Sequence, residues 1–405
     1  MIILKNNSKK IIFHIDVNSA FLSWTAVELL KEDSSLDIRT IPSAICGNPE
    51  NRHGIILAKS TPAKAFNIKT GETIQSALKK CTELKLYKPD YEKYKEYSKK
   101  LGEILLDFSP TIEQYSIDEY FMEYVPILGK YLDVAKKIQQ TIFEKIGVTV
   151  NIGISTNKVL AKMAGDFEKP NKIHTLFKEE IKTKLWPLPI ENLFLCGKSS
   201  SSKLRKIGIN TIGKLALSDV SLLEYHLKSQ GTVLHNYANG IDDSNVVFKE
   251  KNKCYSNSVT MPKDISTLEE ANPILLALSQ KVTNRMRKDN FKATTITLQV
   301  KLNTFQVFSH SKSVSIPTDI TKEIYNISTI LLRNNWNLTP VRLLGISLSN
   351  LVEKDDLQLD IFSINESIKQ SSIDNSIDNI LSKFGNNISI GRASTLKAKK
   401  ILTEE

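Results

Sequence analysis

Ile11-Ile12-Phe13-His14-Ile15-Asp16 runs through mostly apolar side chains and closes on a carboxylate. A short apolar run of this kind reads as a buried strand. Its last residue is the informative one, because an acid at a buried strand end is costly unless it meets a cation. Residues 20–30 (AFLSWTAVELL) follow with a helical pattern, and residues 31–75 mix short strands with turn signals such as Gly47-Asn48-Pro49 and Thr61-Pro62. Tyr91, Tyr94, Tyr97, Leu101, Ile104, Leu105 and Phe108 recur at helical spacing, and Pro110 stops the helix they define. Those tyrosines suit core packing better than a stacking platform. Strands are expected at 115–122 and 148–154, with a helix over roughly 129–145 between them. Ser155 or Thr156 can cap the next helix, Lys158-Val159-Leu160-Ala161-Lys162-Met163-Ala164, which ends before Lys169-Pro170-Asn171. Residues 11–170 therefore read as an α+β domain with a small insertion.

Three carboxylates stand out within it. Asp16 ends one apolar strand, and Asp118 and Glu119 sit together in another. Hard oxygen ligands converging from separate strands favour Mg²⁺ or Mn²⁺. A flat strand would point Asp118 and Glu119 to opposite faces, so one site for both needs a bend there or a place at the strand's beginning. On pattern alone, ordinary surface carboxylates are the competing reading.

The rest of the chain changes character twice. Residues 173–240 are mostly helical and contain Leu204-Arg205-Lys206-Ile207-Gly208-Ile209-Asn210-Thr211-Ile212-Gly213. Glycine–apolar turns of that kind suit phosphate contact through backbone N–H groups, or simple helix capping by glycine. Residues 241–352 read as a second α+β domain, with strands at 293–302 and 343–348 and helices near 268–288 and 318–334. Lys249, Lys251 and Lys253 alternate along a polar linker; they suit a strand that tracks phosphates or an edge strand protected from aggregation. The tail from Glu353 is polar, apart from Leu357-Gln358-Leu359-Asp360-Ile361-Phe362.

Composition limits the function classes. With 405 residues at about 100–200 per domain, several domains are expected. Hydrophobic content of 41% and charged content of 24% exclude a mostly disordered chain or a fibre. No apolar run is long enough for a membrane span and no secretory leader is evident, so a cytoplasmic protein without a membrane partner is expected. The net charge is +11, and because residues 353–405 hold 9 acids against 7 bases, the body carries +13. A basic body suits a polyanion such as nucleic acid. Cys46, Cys81, Cys196 and Cys254 lack zinc-site spacing and read as reduced thiols.

Three segments together give the sequence a family likeness. Asp16-Val17-Asn18-Ser19-Ala20-Phe21, Tyr115-Ser116-Ile117-Asp118-Glu119, and Gly153-Ile154-Ser155-Thr156-Asn157-Lys158-Val159-Leu160-Ala161-Lys162-Met163-Ala164 with Lys169-Pro170-Asn171 resemble the Y-family DNA polymerases, in family order and at family spacing. The bacterial DNA polymerase IV and UmuC group looks most similar. The resemblance implies a multidomain α+β right hand: a ferredoxin-like palm (1–22 and 78–172), small fingers (23–77), a helical thumb with a helix-hairpin-helix turn (173–240), an α+β little finger (241–352) and a tail (353–405). It implies low-fidelity, template-directed DNA synthesis of the translesion type by a monomer, on primer-template DNA with deoxynucleoside triphosphates.

Site roles are carried by the same resemblance. Asp16, Asp118 and Glu119, with the main-chain carbonyl of Val17, match the ligands of two Mg²⁺ ions, for which Mn²⁺ can substitute. Phe21 falls on the steric gate against a 2′-hydroxyl, and Thr61, Lys64 and Lys169 fall where the triphosphate is held. Lys64 stands where the family has an arginine and Thr61 where many members have tyrosine. Asn18 and Ala20 replace an acid and an aromatic of the first motif. Gly197 and Lys198 match the thumb's DNA-binding turn, with Leu195 in place of its first glycine; Lys249, Lys251 and Lys253 are the linker's DNA-contacting candidates. Gln358, Leu359, Asp360, Ile361 and Phe362 resemble the pentapeptide that docks on the DNA sliding clamp. Two other readings compete with it: a non-catalytic accessory that binds DNA and the clamp, which should have lost an acid, and a nucleotide cyclase, which leaves the thumb, little finger and clamp motif without a purpose.

Overall fold

The computed structural model describes residues 10–47, 54–248, 252–354 and 364–384. They form two compact units, the first ending at 248 and the second beginning at 252. Both mix sheet and helix, as the multidomain α+β expectation requires.

The first unit opens with β1 (Ile12–Val17) and α1 (Ala20–Glu32). A small sheet follows, β2 (Ser43–Cys46) and β3 (Ile56–Lys59), with α2 (Thr61–Ala65) and α3 (Ile74–Lys80), and it is completed by β4 (Lys85–Tyr87), which pairs parallel to β2. That last strand lies beyond residue 77, where the insertion was expected to end. A three-residue strand has no readable period, and its partner lies some forty residues upstream. Then come α4 (Tyr91–Leu106), β5 (Ile112–Gln114), β6 (Glu119–Glu123), α5 (Tyr131–Ile146), β7 (Val150–Ser155), α6 (Lys158–Gly165) and β8 (Ile173–Thr175). The main sheet has the order β5-β6-β1-β7-β8.

Strand alternation explains the position of β1. Phe13, Ile15 and Val17 face a core built with Leu101, Ile104 and Leu105 of α4 and Ile138 and Ile142 of α5. Ile12 belongs to a separate cluster with Phe121 and Ala161. Period two therefore places His14 and Asp16 on the side facing α6. Helix α6 lies very close there: a Cβ on Gly153 would meet the Ala161 carbonyl oxygen at 1.9 Å, so only glycine fits. The N-cap of α6 is Asn157, whose side chain accepts from the Leu160 N–H, rather than Ser155 or Thr156. Ser155 ends β7 and is buried, with its hydroxyl turned to the Leu176 carbonyl.

Four short helices complete the unit: α7 (Lys198–Lys206), α8 (Ile212–Ala216), α9 (Val220–Leu227) and α10 (Ser229–Ala238). Leu185, Leu204, Leu215 and Leu234 pack with Val159, Leu160 and Met163 of α6. Gly208, at φ 81°, follows the end of α7, which supports the capping reading, and Gly213 lies against Trp186. Leu195 has φ 62°, so a leucine occupies a left-handed backbone conformation that glycine favours. The described linker residues 241–248 form no strand. Instead the Val159 N–H donates to Asp242, the Val247 N–H donates to Glu113, and Val246 is buried beside Ile12 and Phe121. Lys249 and Lys251 lie outside the described residues, and Lys253 is exposed just before the next strand.

The second unit is an antiparallel sheet of order β11-β10-β12-β9, formed by β9 (Cys254–Ile265), β10 (Phe291–Leu302), β11 (Val307–Thr318) and β12 (Val341–Glu353). Helices α11 (Leu268–Lys288) and α12 (Thr321–Asn335) contribute to its core. Thr267 and Glu270 form a capping box at the start of α11. Residues 358–362 lie outside the described set.

A last helix, α13 (Ile364–Phe384), is locked to this unit by charge. Arg287, buried on α11, bonds Asp378 through Nε at 2.7 Å and Nη2 at 3.1 Å, while buried Asp374 accepts from the Thr321 N–H at 2.9 Å. Replacing Asp374 and Asp378 together by alanine leaves a buried guanidinium without a carboxylate, a change that costs about 3–5 kcal/mol. The expected result is a clearly lower thermal midpoint for this unit. A midpoint equal to wild type would show that the helix contributes no stability.

Candidate active site

Asp16 and Glu119 are register partners on neighbouring strands, so their Cα atoms face one another across the sheet. Asp118 immediately precedes β6, and its carbonyl accepts from the Val17 N–H at 3.1 Å. The pair of acids therefore straddles the strand's beginning, the arrangement that allows both to approach one site. Ser116 Oγ donates to Asp118 Oδ1 at 2.8 Å.

A cavity of about 440 Å³ opens at this point. Asp16, Asp118 and Glu119 line one side of it, and Lys59, Lys64 and Lys169 add positive charge. Phe21 also faces it, half-buried and stacked on Tyr94 with centroids 4.6 Å apart and planes 9° from parallel. Tyr94 is fixed in turn by a 2.7 Å hydrogen bond with Thr25 Oγ1. The ring of Phe21 thus has a rigid backing. Thr61 opens α2 with an exposed side chain and lies outside the lining, unlike Lys64 one helical turn on.

Each of two acids has an ammonium partner. Lys169 bonds Asp16 and also pairs with Asp166 at 2.8 Å. Burial pushes the Asp16 carboxyl up, against the pull of Lys169. Burial opposes charge on Lys169, but the two carboxylates outweigh it and raise its pKa. Burial likewise opposes ionisation of Glu119, yet His14 and Lys162 outweigh it and hold its carboxyl at about 2. Lys162 Nζ lies 2.7 Å from Glu119 Oε2, under the rings of Tyr115 and Phe194. Among the described residues, no three acidic, thiol or imidazole side chains already form a ligand cluster. The donor chemistry at the cavity is nonetheless carboxylate oxygen, which suits a hard divalent cation.

Residues 15–166 match the impB/mucB/samB family, and residues 252–361 match the C-terminal domain of the same family. DNA polymerase IV of Clostridium acetobutylicum is 41% identical over 382 residues, covering 94% of this chain and 96% of the relative. DNA polymerase IV 1 of Bacillus subtilis is 33% identical, covering 98% and 95%. The fold is similar to that of the Y-family DNA polymerase chimera Dbh-Dpo4(243-245)-Dbh, with a TM-score of 0.74 at 21% identity over 85% of this chain and 99% of that one. The chain belongs to the Y family of DNA polymerases.

Several residues around the Y-family cavity were not assigned a role from sequence. His14 could have been found, because it lies two residues before Asp16 on the same strand face. Lys162 stands in a recognised segment, but its partner Glu119 is 43 residues away in sequence. Lys59 and Thr70 line the cavity without any motif to mark them. In the helical region, Gly197 is the N-cap of α7 and Lys198 its exposed first residue. No helix among the described residues is long and apolar enough to cross a membrane.

Proposed function

We propose that this polymerase adds deoxynucleotides to a primer 3′ end across damaged template positions, with Asp16, Asp118 and Glu119 as its catalytic carboxylates. The observation that carries this reading is the gathering of these acids, Phe21 and three lysines at one cavity in a Y-family chain. The primer 3′-hydroxyl gives its proton to solvent, its oxygen forms a bond to the α-phosphorus, the bond from that phosphorus to the bridging oxygen breaks, and pyrophosphate leaves with that bond's electron pair. Asp16, Asp118, Glu119 and the Val17 carbonyl would hold two divalent ions, Mg²⁺ or Mn²⁺. When bound, these ions supply charge neutralisation at the phosphates and a more acidic primer hydroxyl. Lys64 and Lys169 bind the triphosphate as point charges, without the fork that arginine would offer. Phe21 excludes the 2′-hydroxyl.

The main sheet serves as palm, the small sheet as fingers and α7–α10 as thumb, with Gly197 and Lys198 at a DNA phosphate. The sheet unit from 252 onward serves as little finger, and Lys253 with its linker neighbours Lys249 and Lys251 contributes charge toward DNA. Gln358, Leu359, Asp360, Ile361 and Phe362 dock on a sliding clamp, and the enzyme works as a cytoplasmic monomer. Two apolar anchors in a short segment suit insertion into a partner's pocket. Alanine at both Leu359 and Phe362 is therefore expected to weaken clamp binding by at least about a hundredfold, because each buried apolar side chain is worth about 1.5–3 kcal/mol. Calorimetry with purified clamp measures this, and equal affinity in both proteins would remove the motif from the interface. The reading as a whole is tested by primer extension with four deoxynucleotides and Mg²⁺, comparing wild type with the acid variants.

A further inference from the structure

Asn18 and Asn151 form a buried amide pair that takes no direct part in the reaction. Asn18, two residues after Asp16, donates from Nδ2 to Asn151 Oδ1 at 3.1 Å, and both side chains are buried. Asn18 Oδ1 accepts from Thr149 Oγ1 at 3.0 Å and from the Asn171 N–H at 2.9 Å. Asn151 Oδ1 also accepts from the Lys172 N–H at 3.2 Å, and its Nδ2 donates to the carbonyls of Gly165 at 3.0 Å and Glu168 at 2.6 Å.

The orientation of both amides is forced. Backbone N–H groups only donate and carbonyls only accept, so each Oδ1 must face the N–H groups and Asn151 Nδ2 must face the carbonyls. Four backbone groups of the segment 165–172 are thereby tied to two side chains. That segment carries Lys169, whose ammonium reaches Asp16. An aspartate at position 18 could not take part in this arrangement, because its second oxygen would face Asn151 Oδ1 with no proton between them. An asparagine in place of the family's acid thus has a local partner that requires it.

We propose that Asn18 and Asn151 are positioning residues that hold the 165–172 segment so that Lys169 meets the incoming triphosphate. This rests on the nucleotide-binding role given to Lys169 above. The ties act on the backbone on both sides of Lys169, at Glu168 and Asn171, and so set where its long side chain starts. Small displacements of a charged group at a reacting centre have large kinetic effects.

The test is steady-state primer extension with varied deoxynucleotide, using Asn151→Ala, Thr149→Val, Lys169→Ala and the double variant Asn151→Ala with Lys169→Ala. Asn151→Ala is expected to raise KM for the nucleotide about tenfold, with a smaller fall in kcat and unchanged primer-template affinity. Thr149→Val removes only the hydroxyl that orients Asn18 and should shift KM in the same direction, which keeps the test available if Asn151→Ala does not fold. In the Lys169→Ala background, Asn151→Ala should add no further loss. An equal added loss in that background, or an unchanged KM in both Asn151→Ala and Thr149→Val, overturns the proposal. Amide hydrogen exchange at Asn171 and Lys172 supplies a readout without activity: Asn151→Ala should accelerate it, and unchanged exchange overturns the clamp. A wild type that fails to extend primers would sink the polymerase reading, while the exchange measurement would still decide the amide pair.

Discussion

Asp118→Ala is expected to abolish primer extension while leaving the protein folded and DNA-binding. The side chain is half-exposed at the rim of the cavity, immediately before β6, and its only described side-chain hydrogen bond is the one from Ser116. Its tie to β1 runs through the backbone, from Val17 N–H to the Asp118 carbonyl, and alanine keeps that bond. The fold therefore loses little. The reaction loses a ligand oxygen at the centre where phosphate charge develops. Ion stabilisation of a transition state is worth several kcal/mol, and at about 1.4 kcal/mol per factor of ten this predicts a rate at or below about a thousandth of wild type. Gel-based extension on a primed template measures it, with primer-template affinity as the control. Extension by both proteins would remove Asp118 from the metal site. Extension by neither, with DNA binding retained, would favour the non-catalytic accessory.

Phe21→Ala should open the active site to ribonucleotides. Phe21 is held from behind by Tyr94, and it meets the edge of Tyr91 at a centroid distance of 6.0 Å. The ring cannot retreat from a 2′-hydroxyl without disturbing an aromatic stack whose Tyr94 hydroxyl is itself bonded to Thr25. Removing the ring leaves room for the sugar hydroxyl. An apolar pocket that rejects an added hydroxyl does so by about a hundredfold, so a rise of that order in the ratio of ribonucleotide to deoxynucleotide insertion is expected. Single-nucleotide insertion kinetics measure the ratio. Unchanged sugar selectivity would make Phe21 a core aromatic only, a role its contacts with Tyr94 and Trp24 also fit.

These two side chains show how far local sequence reaches. Asp118 was legible because it lies in a short segment of recognisable order, and Phe21 because it lies five residues after Asp16. The supports of both were not. Tyr94 reads as one apolar position in an amphipathic helix, and nothing local says that its ring backs Phe21. Thr61 marks where local sequence stops: its segment suggests a nucleotide contact, while the structure gives the first residue of α2 an exposed side chain outside the cavity lining.

By itself, the sequence determined the α+β strand and helix pattern, the strand-end carboxylates and the basic body. These follow from periods of two and 3.6, from charge and from breakers, all of which act within a few residues. Tertiary structure alone decided the parallel pairing of β4 with β2, the lysine partners of Asp16 and Glu119, the docking of α13 through Arg287 and the Asn18–Asn151 clamp. The two asparagines of that clamp are 133 residues apart in sequence. Buried polar groups must find partners wherever the folded chain brings them, and no local pattern records which distant partner that will be.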